Sequence, residues 1–119
     1  MKYDILLEEE ENLIFKKDLA GKEEKLKVNE HTLTIWDIKD IGLYFKPKEV
    51  CSHLNIPFQI DIIKENKTMK NNFFIEGATG DIWLNLSYIC HWLSYNNNIE
   101  NNVDIVEEYL TAVQKAVYE

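Results

Sequence analysis

Two β-prone runs separated by a short loop with a glycine at each end constrain the fold of this chain more than any other feature. The run Phe73–Glu76 is followed by the loop 77–80 and then by the run 81–86. Strand-forming residues on both sides of a four-residue glycine loop predict a β-hairpin. In the second strand, Ile82 and Trp83 would then lie on opposite faces of the sheet. A helix that starts at residue 81 is a rival interpretation, because the apolar residues that follow also fit a 3.6-residue period.

The C-terminal segment carries the pattern of an amphipathic helix. An apolar stripe recurs at helical spacing along it: Val103, Val106, Leu110, Val113 and Val117. Acidic side chains lie near the positive end of the predicted helix dipole, and Lys115 lies near the other end. The pattern predicts a helix that packs its apolar stripe on a sheet.

The N-terminal half shows shorter and weaker strand patterns. Apolar residues alternate over 3–7 and 13–15, which favours a hairpin whose exposed turn is the glutamate run 8–11. Four consecutive glutamates also suit a helix, so both strand and helix stay open for the first 20 residues. Residues 20–24 are typical of a loop, and a second hairpin follows through the apolar positions Leu26, Val28, Leu33 and Ile35. Residues 36–45 shift toward helical spacing, and both states stay open there.

The central segment alternates between predicted helices, strands and loops. Pro47 fits the first turn of a short helix that ends before Pro57. Alternating apolar residues predict a strand over 58–63, and the polar run 64–72 predicts a loop. After the hairpin, we expect a helix from Ser87, its cap, through Tyr95, and a polar connector over 96–102. Together these elements predict one α+β domain over residues 1–119, with a mostly antiparallel sheet of hairpins packed against two or three helices, including the C-terminal one.

The charge of the chain is strongly negative and unevenly distributed. The net charge is −8 at pH 7, all cations are lysines, and the last 49 residues hold −6 of that charge. Nucleic acid, phosphate ligands and anionic membrane surfaces all require cationic contacts, for which arginine is the preferred residue. The composition therefore argues against direct binding to each of them.

The first residues and the cysteines bear on the cellular compartment. The apolar run at the start is too short for a signal peptide and meets four glutamates, and no segment approaches the ~20 apolar residues of a membrane span. A chain of this kind normally keeps thiols such as Cys51 and Cys90 reduced. We expect a cytoplasmic, bacterial protein.

Candidate residues for metal binding or catalysis exist but lack a diagnostic spacing. Cys51, His53, Cys90 and His91 make up a zinc ligand set, yet adjacent residues on one helix point about 100° apart. Cys90 falls on the predicted apolar face, where a free cysteine acts as a small hydrophobe, and solvent-facing histidines are the default. A cysteine beside a histidine such as His31 could form a nucleophilic site, but no nucleophile motif accompanies it. We expect no metal and no cofactor.

These observations favour a non-catalytic protein that neutralises a basic protein partner. A bacterial immunity protein that inhibits a nuclease toxin is the most concrete example, because the substrate groove of such a toxin is cationic. The expected partner-binding residues combine carboxylates with one indole: Glu76, Asp81, Trp83, Glu107 and Glu108. Two alternatives stay open, namely a small enzyme with a His or Cys site and an accessory subunit of an oligomer.

Overall fold

The computed structural model of the protein describes residues 13–14, 21–70, 72–77, 79–95 and 103–118, with side chains for all of these except 13, 14 and 103. Within these ranges, six strands form one sheet in the order β1-β5-β6-β4-β3-β2. The strands are β1 (Leu13–Ile14), β2 (Gly21–Val28), β3 (His31–Ile38), β4 (Gly42–Phe45), β5 (Phe73–Glu76) and β6 (Ile82–Asn85). Strands β2 to β6 pair antiparallel to their neighbours, and β1 runs parallel to β5.

Four α-helices complete the described part of the chain. They are α1 (Pro47–Leu54), α2 (Ile60–Lys64), α3 (Ile89–Ser94) and α4 (Val103–Tyr118). The prediction of an α+β fold with a mostly antiparallel sheet and a C-terminal helix is confirmed. Among the described helices, none combines the length and the apolar character needed to cross a bilayer.

The predicted second hairpin is confirmed as β2 and β3, with Val28 paired to His31 across the turn. The predicted loop at residues 20–24 is wrong from Gly21 onward, because β2 already begins there. This part of β2 is polar because β2 is the outermost strand on its side of the described sheet. Charged residues on an edge strand hinder pairing with other chains, so they do not argue against a strand.

The open question over residues 36–45 is resolved in favour of strands. β3 continues to Ile38, and β4 begins at Gly42 after a tight turn. The turn requires a positive φ of 66° at Asp40, a conformation that Asp adopts more readily than most side chains. The apparent helical spacing comes from two strands joined by a reversal.

The helix at Pro47 is confirmed, and it ends where Asn55 adopts a left-handed conformation with φ of 57°. The predicted strand over 58–63 is wrong, because Ile60–Lys64 forms the short helix α2. Its fully buried residue is Ile63, whereas Ile60 is exposed. Alternation was therefore a misleading signal in so short an apolar run.

The glycine-bounded hairpin is confirmed as β5 and β6, with Ile75 paired to Ile82, and the helix that would start at residue 81 is therefore wrong. The following helix differs in detail from its prediction: a 3₁₀ turn spans Leu86–Tyr88, and α3 begins only at Ile89. Asn85 caps the 3₁₀ turn, since its Oδ1 accepts hydrogen bonds from the backbone N–H and the hydroxyl of Ser87. Ser87, the predicted cap, lies inside that turn, and Tyr88 occupies the N-cap position of α3 without a side-chain capping bond.

Buried side chains in the described part of the chain form two clusters, one on each face of the sheet. The larger cluster joins β3, β4 and β6 to the four helices; it includes Leu33, Ile35, Phe45, Val50, Leu54, Ile63, Leu84, Trp92, Val106, Tyr109 and Val113. The smaller cluster on the opposite face consists of Trp36, Ile38, Tyr44 and Trp83, with Phe74 packed against it. Strand β3 contributes to both clusters, so its apolar residues follow one another without full alternation.

The hairpin predicted for the first 15 residues, the glutamate run 8–11 and the connector 96–102 lie outside the described residues. Leu13–Ile14 at the end of that region is a strand, in register with Ile75 and Glu76 of β5.

Candidate functional site

The strand order places two hairpin turns and the start of α1 at the same end of the sheet. The turn at Asn29 and Glu30 follows β2, and the β5–β6 turn follows β5. β2, β4 and β5 run in the same direction, because each is antiparallel to a shared neighbour, β3 or β6. Helix α1 begins directly after β4 and therefore also starts at this end. We call this end of the sheet the turn end.

A carboxylate on α1 fixes this helix to the sheet. Glu49 accepts a hydrogen bond from the backbone N–H of Thr34 at 2.5 Å and another from its hydroxyl at 2.9 Å. Thr34 precedes Ile35, the first β3 residue with a partner in β4. Glu49 therefore accepts a backbone hydrogen bond from β3 at a position that β4 does not reach. Lys25 of β2 also donates to the Thr34 hydroxyl, at 2.8 Å. Hydrogen bonds to a charged acceptor are stronger than neutral ones, so this link sets the position of α1 over the sheet.

The placement of α1 brings two histidines and a tyrosine together. His53 of α1 stacks on His31 at the start of β3, with ring centroids 4.5 Å apart and planes 14° from parallel. The Nδ1 of His53 lies 2.8 Å from the hydroxyl of Tyr109 on α4, within hydrogen-bonding distance. Three elements that are distant in sequence therefore meet through three polar aromatic side chains.

Burial and neighbouring charges shift the protonation of this group. Desolvation lowers the pKa of His53, the positive charge of a protonated His31 lowers it further, and Glu49 opposes both effects. Burial raises the pKa of Tyr109 far above its usual value, and Glu49 adds to the rise. Both shifts favour the uncharged forms, a neutral imidazole at His53 and a protonated phenol at Tyr109.

A groove of about 480 Å³ opens beside this group, between the β2–β3 turn and the first half of α4. We call it the turn groove. Its lining combines acidic, apolar and aromatic side chains: Asn29, Glu30, His31, His53, Leu54, Ile105, Glu108 and Tyr109. Ile105 keeps 54% of its surface exposed, which is unusual for an isoleucine and leaves an apolar wall open to solvent. No lysine is among the described residues that line it.

Trp83, predicted as an exposed partner contact, is fully buried. Its indole makes an edge contact with Trp36, with centroids 5.4 Å apart and planes at 64°. Lys46 lies 5.0 Å from the centre of its ring on another side, in cation–π distance. A side chain with no exposed surface cannot contact a partner, so the prediction of a direct role for Trp83 is wrong. The residue was correctly placed on the face opposite Ile82, but that face is also buried.

Glu76 and Asp81 lie near Trp83 on the β5–β6 hairpin, as the sequence predicts, but both have partners within the chain. Glu76 accepts hydrogen bonds from Trp83 Nε1 at 3.3 Å and from the Thr79 hydroxyl at 3.1 Å. Asp81 pairs with Lys46 at 3.3 Å. These contacts reduce the negative potential that the hairpin offers to a partner.

Glu107 and Glu108 lie on the first half of α4, and both are exposed. Glu108 lines the turn groove, whereas Glu107 does not. Asp81 instead lines a second groove of about 510 Å³ with Lys46, Lys48, Ser52 and other residues. Helix α1 contributes to the lining of both grooves, through Ser52 and His53 respectively. The five predicted residues are therefore divided between two regions that flank α1.

The cysteines do not join the histidines of the predicted zinc set. Cys51 is buried in the larger cluster, and burial raises the pKa of its thiol to about 11. The prediction that Cys90 faces the core is wrong, because this cysteine is exposed. Within the described ranges, no group of three or more His, Cys, Asp or Glu side chains is placed to hold a metal ion. His91 is exposed, but His53 is not simply solvent-facing, since it stacks on His31.

The sequence left Glu49, Tyr109 and Ile105 out of the candidate site. Tyr109 directly follows Glu108 and Ile105 lies three residues before Glu108, so helical periodicity places all three close to one side of α4. Glu49 has no such signal, because its role depends on where β4 ends.

Comparison of this chain with protein-family models, with curated proteins and with solved structures finds no match.

Proposed function

We propose that this protein is a non-catalytic acidic binding protein that neutralises a basic protein partner. The most concrete version is a bacterial immunity protein that acts in the cytoplasm on a nuclease toxin. The observation that carries the proposal is the exposed first half of α4. There Asp104, Ile105, Glu107 and Glu108 are all exposed, and the first lysine of the described helix comes only at Lys115.

The exposed carboxylates of this helix suit a basic partner, such as a protein whose own ligand is a polyanion. The negative potential accelerates association with a cationic surface, while apolar and aromatic contacts slow dissociation. On this helix the acidic side chains are adjacent to the exposed Ile105 and to the turn groove. The partner-binding residues of this proposal are therefore Glu107 and Glu108, with Glu76 and Asp81 as a second and partly neutralised acidic region.

The proposal is tested with a basic domain encoded next to this chain, first by co-expression and then by binding kinetics. We expect the chain to restore growth of cells that produce the toxic domain. We also expect the association rate to fall steeply from ~0.1 M to ~1 M NaCl, because the Debye length shortens from about 10 Å to about 3 Å. Charge reversal at Glu107 or Glu108 should slow association and leave the fold intact. Association that is indifferent to both salt and charge reversal contradicts the proposal.

One observation favours an enzyme as a second candidate, namely that the turn groove holds His53 with a lowered pKa. A histidine in a concave site could act as a general base. The described lining of the groove contains no serine or cysteine, so such an enzyme would have to activate water or a substrate hydroxyl directly. The two candidates separate in the co-expression experiment with a His53→Gln variant, which an enzyme would not tolerate and an acidic inhibitor would.

The accessory-subunit alternative makes a different prediction. It requires self-association through surfaces such as the groove at the other end of the sheet, where Leu86, Val117 and Tyr118 are among the lining residues. Sedimentation at increasing protein concentration distinguishes it, since a stable oligomer keeps its size on dilution.

A further inference from the structure

The lining of the turn groove has the chemistry of a site for a long cationic side chain. Ile105 provides exposed apolar surface beside the edge of the largely buried Leu54, and Glu30 and Glu108 provide two exposed carboxylates. Lysine and arginine side chains have a matching division, with an apolar stem and a charged end. Arginine adds a planar end that stacks on aromatic rings and binds carboxylates in pairs.

We infer that the turn groove receives one long cationic side chain, an arginine or a lysine, from the basic partner. Its stem lies along Leu54 and Ile105, and its charged end faces Glu30 and Glu108. This inference rests on the proposed function and narrows it, because it selects one acidic region from the two that flank α1. The β5–β6 hairpin is the weaker choice, since Lys46 already pairs with Asp81 and lies over Trp83.

The histidine pair makes occupancy of this groove sensitive to pH. The charged and titratable groups around His31 and His53 are Glu30 on the β2–β3 turn, Glu49 on α1, and Glu108 and Tyr109 on α4. Protonation of the His53 imidazole places positive charge beside the incoming cation. Burial lowers the pKa of His53, so binding should weaken as the pH falls far enough to protonate this residue.

The test uses the full chain and the peptide acetyl-Gly-Arg-Gly-amide as a probe, followed by backbone amide NMR. We expect saturable shifts concentrated at residues 29–31, 53–54 and 105–109. The same peptide with lysine should bind at the same place, and the peptide with glutamine should not. Two adjacent substitutions give a matched comparison, because Glu108→Gln and Glu107→Gln remove the same charge and only Glu108 lines the groove.

The expected difference between these variants is set by one exposed charge contact. Glu108→Gln should weaken peptide binding about two- to fivefold, and Glu107→Gln by less than about 1.5-fold. Lowering the pH from about 7.5 to about 5.5 should weaken binding in the parent chain, and less so in a His53→Gln variant. Far-ultraviolet circular dichroism confirms that each variant is folded.

Each outcome separates this inference from the proposed function. Equal effects of Glu107→Gln and Glu108→Gln, or shifts centred on the β5–β6 hairpin, overturn the groove assignment. The proposed function survives that result if association with the basic domain still depends on salt. If the peptide produces no shifts in the groove, the inference is wrong whatever the basic domain does. If the peptide binds in the groove but the basic domain does not associate, the groove assignment holds for the probe and the proposed function fails.

Discussion

Removal of the Glu49 carboxylate is the sharpest test of how α1 is held on the sheet. Glu49 accepts two hydrogen bonds from Thr34, a residue with only 4% of its surface exposed. A hydrogen bond to a charged group contributes about 1.5–3 kcal/mol, and a buried donor left without a partner costs about 1–3 kcal/mol. The two bonds share one carboxylate and are not additive, so we expect Glu49→Ala to lower the free energy of unfolding by about 2–4 kcal/mol.

Two further variants separate the contributions of the two Thr34–Glu49 hydrogen bonds to stability. Glu49→Gln keeps one acceptor oxygen for the backbone N–H of Thr34 and should cost only about 1 kcal/mol. Thr34→Val removes the hydroxyl and keeps the N–H, so its effect should be similar, and the double variant should show coupling between the two positions. Glu107→Ala is the matched control, because it removes an exposed carboxylate from another helix.

The assay is urea denaturation followed by tryptophan fluorescence. With a slope of about 2 kcal/mol per molar urea, in the middle of the usual range, the expected loss for Glu49→Ala moves the midpoint by about 1–2 M without a change in slope. A Glu49→Ala midpoint that coincides with that of Glu107→Ala would refute the reasoning. The carboxylate would then be a solvated surface group, and the position of α1 would depend on its apolar residues alone.

The remaining predictions concern pH, packing and thiol chemistry. Because the pKa of His53 is lowered in the folded state, the unfolded chain binds more protons below about pH 6.5, so stability should fall as the pH drops from there, and a His53→Gln variant should lose that part of the pH dependence. An added Cβ at Gly21 would lie 2.5 Å from Nε1 of Trp36, so Gly21→Ala should cost about 1–3 kcal/mol in urea denaturation, and an unchanged midpoint would contradict this contact. In the native chain, Cys90 should react quickly with a thiol reagent and Cys51 slowly, because Cys51 is buried with its pKa raised to about 11; equal rates would show that the larger cluster opens readily.

The parts of the fold that could be predicted from sequence are those in which local pattern and tertiary environment agree. Helix α4 has an apolar stripe that meets the sheet, and Val106 and Val113 are buried as the period requires. The β5–β6 hairpin has turn residues between two strand-forming runs, so its pairing follows from local chemistry. In both cases the residues of the element itself are sufficient to predict its secondary structure.

The wrong predictions occur where tertiary contacts, and not the local sequence, determine the secondary structure or the exposure of a residue. The polar start of β2 is a strand because it occupies the sheet edge, and the apolar run that contains Ile63 is a helix because one residue per turn reaches the core. Trp83 was placed on the correct face, but exposure depends on whether that face is covered, which alternation cannot report. Sequence patterns therefore indicate which face of the sheet a side chain occupies more reliably than whether that face is exposed.

The turn groove depends on contacts that no local pattern contains, and this connects its geometry to the stability of the sheet. Glu49 positions α1 through Thr34, and α1 carries His53 to His31 and Tyr109. Loss of the Glu49 carboxylate should thus disturb the shape of the groove as well as lower stability, whereas loss of the exposed Glu108 carboxylate should change only its charge. If Glu49→Ala weakens binding of the arginine peptide although Glu108 is intact, then the groove recognises its ligand by shape and not by charge alone. If binding follows charge and ignores the position of α1, the recognition surface is the open face of α4 and the histidine pair is structural.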